Sequence, residues 1–248
     1  MNLGRPVRIS AIHHAHLTHG ATFRDAGDWR VPDAFTSPED EVARVLAGVG
    51  LADVSATGKL HVRGESAAAV LRRMAGGEPP APGRAARVAV GDAEALACRL
   101  ADDELLVLTP LADTDAVRDR LTRTAASAGC AHVTDLTSGF AAVDVLGPAA
   151  PSLLARVAPL DLADGAVPPL GVVQGELARV RAILIRLDRV RAPAFRALVP
   201  RESGAHAWEA LADAGRDLGL VLVGAAARAR LDAPLSPTGG EGRGEAAV

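Results

Sequence analysis

Aromatic residues are nearly missing from this chain: four Phe, two Trp and no Tyr among 248 residues. A core must then be closed largely by Ala, Val and Leu. Burial per residue is modest, but this length still suffices for one large domain or two intimate subdomains. Lysine is scarcer still, since Lys59 stands alone among 27 basic residues. We read that bias as codon composition, not as nucleic-acid chemistry. A net charge of −3 supplies no clustered positive surface for DNA or RNA, and no nucleic-acid partner is expected. Cysteine is limited to Cys98 and Cys130, too far apart in sequence for a metal pair or a disulfide framework; both are expected to be buried free thiols. No segment approaches the roughly 20 apolar residues of a membrane helix, and residues 1–10 lack the apolar run of a signal peptide. No membrane partner is expected, and the cytoplasm is the expected compartment. A P-loop and a dinucleotide fingerprint are missing too.

What is present is order along the chain. Residues 1–36 read as an irregular N-terminal segment rich in His, Gly and Asp. A helix begins at Ser37-Pro38-Glu39-Asp40, with proline in the first turn and acids facing the helix dipole. Val42, Val45 and Leu46 give it an apolar face, and Gly48 and Gly50 end it. A segment then occurs twice. Val62 matches Val145, Gly64 matches Gly147, Leu71 matches Leu154 and Arg73 matches Arg156, each pair 83 residues apart, while Asp53 and Asp135 are 82 apart. Each copy reads as an alternating strand, a Gly turn and a helix. Further on, Gly91 pairs with Gly175, and Leu108-Thr109-Pro110 with Leu198-Val199-Pro200. Each proline is followed by a helix (113–124 and 203–214) whose buried stripe is Val117 and Leu121, or Trp208 and Leu211. The fold class expected is α+β, built from duplicated strand-helix-strand-helix halves with largely antiparallel pairing. The halves are 37–130 and 131–233. The second closes on a strand over 218–223 and a helical segment over 225–231. Residues 234–248 have no apolar periodicity and read as a disordered tail.

Local chemistry is sparse. His13, His14, His16 and His19 form the sharpest cluster. Without a nearby Cys, or an acid inside the cluster, they read as a packed or solvated segment in preference to a zinc site. Ser55 beside Asp53 reads as a turn in which one side chain caps backbone N–H groups. Asp92 and Glu94 flank a strand start. They fit a solvated hairpin turn, and they also fit a pair of acceptors for an amidine-like ring edge.

Five stretches resemble the glycine-cleavage T-protein (aminomethyltransferase) family. The first runs from His19-Gly20-Ala21-Thr22-Phe23 to Gly27-Asp28-Trp29-Arg30-Val31-Pro32. The most specific is Val49-Gly50-Leu51-Ala52-Asp53-Val54-Ser55-Ala56-Thr57-Gly58-Lys59-Leu60, similar to that family's G-L-x-D-V-S-x-M-G-K signature. Then come Gly147-Pro148 with Ala150, Trp208-Glu209-Ala210-Leu211 with Ala214-Gly215, and Gly224 with Ala227-Arg228 and Leu231. They follow the family order and cover residues 19–231. The resemblance implies a duplicated folate-binding fold in which tetrahydrofolate sits in a central cavity. It places Thr57, Asp92, Glu94 and Arg228 at the cofactor site, with Asp92 or Glu94 on the pterin edge and Arg228 facing the glutamate tail. The family's paired Asp are replaced over Gly91–Leu96, with Glu94 on one of those positions. Its Tyr-Thr-Gly-Glu stretch, near residues 188–192, lacks both Tyr and Glu. The matches stop before the family's C-terminal barrel. Two readings follow. One is a tetrahydrofolate-binding protein of one-carbon metabolism, related to aminomethyltransferases but degenerate at the site. The other is a non-catalytic subunit resembling the gamma subunit of sarcosine oxidase, on the strength of 133–136, 159–162 and 167–171, with a protein partner. Whether the chain is a transferase is left open by the residues.

Overall fold

The computed structural model describes residues 8–160, 166–187 and 192–232. The expected tail, 234–248, lies outside them, as do residues 188–191. The N-terminal segment departs from the irregular reading. It holds β1 (Arg8–Ile9), the short helix α1 (His13–Thr18), β2 (Thr22–Ala26) and β3 (Trp29–Ala34), joined as a small sheet in the order β1-β3-β2. The strands leave no alternation in the sequence, because β2 lies on the surface with little inward face. The β2–β3 turn uses Gly27 at φ +60°, a backbone state open to glycine.

α2 (Pro38–Ala47) starts as expected: Asp40 N donates to Ser37 Oγ at 3.1 Å. Then come β4 (Gly50–Asp53), β5 (Gly58–Arg63), α3 (Ala67–Ala75), β6 (Arg84–Val90), β7 (Ala93–Ala101), β8 (Glu104–Thr109), a 3-10 turn at Leu111–Asp113 and α4 (Thr114–Ala128). The series recurs as β9 (His132–Asp135), β10 (Phe140–Leu146), α5 (Ala150–Val157), β11 (Val172–Leu177), β12 (Val180–Arg186), β13 (Ala194–Pro200), a 3-10 turn at Arg201–Ser203 and α6 (Gly204–Ala214). β14 (Val221–Val223) and α7 (Ala225–Asp232) close the described chain. One pairing differs from expectation. Gly91 sits in the β6–β7 turn, but its structural counterpart is the β11–β12 turn at Ala178 and Arg179, both at positive φ. Gly175 lies inside β11.

Among the described residues the two main sheets share one plan: β6-β7-β8-β5-β9 and β11-β12-β13-β10-β4, the latter extended by β14. The last strand in each shared series is exchanged. β4 leads the first copy yet pairs antiparallel with β10, and β9 leads the second yet pairs antiparallel with β5. Alternation then builds three apolar layers. Leu60, Val62, Leu105 and Val107 pack under α3 and α4. Val143, Val145, Phe195 and Ala197 pack under α5 and α6, with Trp208. Between the sheets lie Cys98, Leu106, Ala142, Ile185 and Leu198, joined by Val45 of α2 and Ala227 and Leu231 of α7. The order is helices, sheet, sheet, helices, with α2 and α7 filling one flank of the middle layer.

Candidate functional site

The two exchange points mirror each other. Ser55 N donates to Asp53 Oδ1 (2.9 Å), the turn read from the sequence, and Thr137 N donates to Asp135 Oδ1 (2.8 Å). Ser55 Oγ accepts from Ala142 N and Thr137 Oγ1 from Lys59 N. Each hydroxyl thus fastens one crossing to the neighbouring strand. Lys59 is fully buried. Its Nζ donates to the carbonyls of Thr57 (2.8 Å) and Ser55 (2.9 Å), and more weakly to that of Thr137 (3.4 Å). Burial first, then the nearby Arg196 charge, pushes its ammonium down to about 7, against the pull of Asp53 and Asp135.

Asp53 also anchors the N-terminal segment. Its Oδ2 accepts from Ser10 Oγ (2.5 Å) and His16 Nε2 (2.8 Å). Burial would push this carboxyl up; the bond and charge of His16, then Ser10 and Ser55, outweigh it and hold Asp53 below its ordinary value. The His16 ring stands edge-on to Trp208 at 4.9 Å. The histidine cluster therefore contributes one buried packing residue, and the described residues hold no metal-binding group of His, Cys, Asp and Glu. Cys98 is buried, as expected, and burial pushes its thiol up to about 12. Cys130 is exposed, because it follows α4 at a surface corner and not in a strand.

A cavity of about 490 Å³ lies between the sheets beside α7, within the usual size of small-molecule sites. Thr57 from the β4–β5 crossing, Glu94 and Leu96 from β7, Thr109 from β8, Arg196 from β13 and Arg228 from α7 line it. Three of the four residues expected at the site, Thr57, Glu94 and Arg228, are brought together here from separate stretches. Asp92 is exposed in the β6–β7 turn, outside the lining. Glu94 stands at the rim, with its side chain 65% exposed and paired to Arg87 at 2.9 Å. The floor is different. Asp144 is fully buried and accepts from Arg196 Nε (2.7 Å) and Nη2 (2.9 Å) and from Arg228 Nε (3.0 Å). The side chain of Arg196 is 7% exposed and that of Arg228 is 25% exposed. Burial, then the charge of Arg196, pushes Arg228 below its ordinary value, offset in part by Asp144. Arg196 is held above its own ordinary value: burial works against the charge, but Asp144 prevails. The reading from sequence passed over Asp144 and Arg196. The signal was there, since a charged residue in the middle of the apolar run 140–146 is rarely buried without a partner.

Fold and site together define a duplicated, strand-exchanged α+β domain with a ligand-sized cavity between its sheets. The family model described as the GCVT N-terminal domain matches residues 12–245, and the chain belongs to that family. An aminomethyltransferase of Streptomyces coelicolor is 30% identical over 245 residues, covering 95% of this chain and 65% of the relative. The sarcosine oxidase alpha subunit of Corynebacterium sp. strain U-96 is 28% identical over 242 residues, 88% of this chain and 25% of that one. The glycine cleavage system aminomethyltransferase T of Bartonella henselae superposes with a TM-score of 0.80 at 19% identity, over 91% of this chain and 62% of that one. The chain thus spans less than two thirds of the aminomethyltransferases it matches. No described helix is long and apolar enough to cross a membrane.

Proposed function

We propose that this GCVT domain binds tetrahydrofolate in the cavity between its sheets and serves one-carbon transfer in the cytoplasm. The observation that carries the reading is the convergence of Thr57, Glu94 and Arg228 on one cavity lining. The lining suits the group. Leu96, Leu108 and Leu187 offer apolar walls for rings, Thr57 and Thr109 offer hydroxyls, and Glu94 offers an acceptor at the rim. Bound there, the folate would supply the nitrogens that accept a one-carbon unit. The chain's own part is positioning. Lys59 holds the Thr57 carbonyl, and with it the crossing loop, by a hydrogen bond at 2.8 Å. Walls fixed in this way hold a reactant in one orientation, the main contribution available to a protein that supplies no covalent chemistry. Calorimetric titration with tetrahydrofolate tests the reading. Micromolar binding is expected, weakened about tenfold in Glu94→Ala and unchanged in Asp92→Ala. A folded protein that takes up no tetrahydrofolate would contradict it.

A second reading, a non-catalytic subunit resembling the sarcosine oxidase gamma subunit and working with a protein partner, is favoured by the likeness in fold to a chain of the heterotetrameric sarcosine oxidase of Corynebacterium sp. U-96, with a TM-score of 0.60 over 74% of this chain and 93% of that one. Failure to bind folate, together with co-purification on a partner subunit, would favour this reading.

A further inference from the structure

The internal duplication repeats more than the sheets. Arg87 and Leu96 are partners across β6 and β7, as Gln174 and Ile183 are across β11 and β12. Leu96 in turn faces Leu108 of β8, as Ile183 faces Leu198 of β13. Nearer the hairpin turn, Glu94 therefore corresponds to Arg181. Gly58 faces Thr109 where Ala141 faces Val199, so Thr57 corresponds to Phe140. Thr57, Arg87, Glu94, Leu96 and Leu108 all line the cavity beside α7. Their five counterparts line a second cavity, of about 430 Å³, in the other half. Duplication accounts for a hollow at both places, but the chemistry of the two differs. The hydroxyl of Thr57 gives way to the ring of Phe140, the acceptor Glu94 to the cation Arg181, and Arg87 to the amide of Gln174. Gln174 Nε2 donates across the sheets to Leu100 O at 3.1 Å and fixes one wall. Glu94 is tied to Arg87 at 2.9 Å, whereas the exposed guanidinium of Arg181 has no ion-pair partner among the described residues. Glu176, opposite Arg181 in the register, lines a separate depression against α5 and α6.

From this inverted lining we infer that the second cavity is a binding site in its own right, for a small carboxylic acid with an apolar body. The body lies against Phe140, Ile183 and Leu198, and the carboxylate meets Arg181 at the mouth. An unpaired guanidinium presents the planar fork that takes a carboxylate through two parallel hydrogen bonds. At an exposed position that pairing alone contributes little, so burial of the apolar body must supply most of the attraction. The acid is thereby distinguished from a bare anion, which lacks the body, and from an amine of the same shape, which Arg181 repels. The inference is independent of folate binding in the first cavity, since the two linings share no residue.

The probe is 3-phenylpropionate, titrated into the full chain and followed by calorimetry and by backbone amide NMR shifts. Saturable binding is expected, with the largest shifts at Gln174, Ile183 and Leu198. Acetate (the anion without the body) and 3-phenylpropylamine (the body with a cation) are expected to bind about tenfold more weakly or less. Arg181→Glu gives this position the charge of the first copy, and the side chain is exposed, so the variant should fold. It is expected to raise the Kd of 3-phenylpropionate about tenfold or more and to turn the preference towards 3-phenylpropylamine. Saturating tetrahydrofolate is expected not to displace 3-phenylpropionate. Acetate binding as well as 3-phenylpropionate would reduce the site to a bare surface cation and overturn the inference. So would shifts centred on Leu96 and Arg228, displacement by tetrahydrofolate, affinity indifferent to Arg181→Glu, or no saturable binding. Acid binding without tetrahydrofolate binding upholds the second site and overturns the folate reading alone; tetrahydrofolate binding without acid binding does the reverse.

Discussion

Lys59 is the residue whose setting can be read most directly in solution. Its ammonium sits near 7 in the folded chain, against an ordinary value of 10.5. Between those values the unfolded chain binds more protons than the folded one, so stability rises with pH across the window. The slope approaches about 1.4 kcal/mol per pH unit. The Cys98 thiol, pushed up to about 12 by burial, has the opposite effect once the unfolded thiol ionises near pH 9, so pH 7–9 is the clean interval. Urea unfolding should show stability climbing over that interval in the unaltered protein and a flattened profile in Lys59→Met. Equal slopes in both would mean that Lys59 is not held near neutrality. Asp53 makes a second case. Asp53→Ala strips His16 and Ser10 of their acceptor and should cost about 3 kcal/mol or more, measured by the same unfolding. The Asp53–Ser55 turn was legible in the sequence because its partners are two residues apart. The bond to His16 was not, because 37 residues separate the two and no local rule pairs them.

At the scale of elements, the repeat was legible because Gly64 and Gly147 answer the same geometric need. Gly64 has φ +132° and Gly147 has φ +109°, and a Cβ on either would meet backbone carbonyl oxygen, Cys130 O at 2.4 Å and Gly48 O at 2.5 Å. Gly147→Ala should therefore cost at least about 1–3 kcal/mol. Gly76→Ala, at φ +68° with open space around it, should lose about 1 kcal/mol, the left-handed backbone cost alone. Denaturant midpoints compare the two, and equal losses would show that the carbonyl contact at Gly147 is relieved by a small shift. The exchange of β4 and β9 was not legible, because strand patterning gives a buried face and leaves the partner strand unspecified. The pairing of Gly91 with Gly175 went astray for a similar reason. The second copy makes its turn with Ala178 and Arg179 at positive φ, so glycine no longer marks it.

For the whole molecule, the sequence pointed to Thr57, Glu94 and Arg228 through family motifs, and folding brings all three to one cavity. Asp92 falls outside, since it sits exposed in the β6–β7 turn, before β7 begins at Ala93. The floor was hidden because Asp144 and Arg196 are 52 residues apart and meet only through the β10–β13 register. Asp144→Asn combined with Arg196→Leu should lose less stability than Arg196→Leu alone, since the buried carboxylate goes with its partner while Arg228 keeps Asp232 at 3.5 Å. Arg196→Leu alone should lose about 3–5 kcal/mol. Thermal and urea unfolding distinguish the two.

The most direct test of the central claim is a tetrahydrofolate titration of the unaltered chain beside Leu96→Trp, which fills the cavity from β7. Micromolar binding in the first, and none in a folded second, is the result this account predicts. Binding that persists in Leu96→Trp, or no binding to the folded unaltered chain, would place the function of this GCVT domain elsewhere than in the cavity between its sheets.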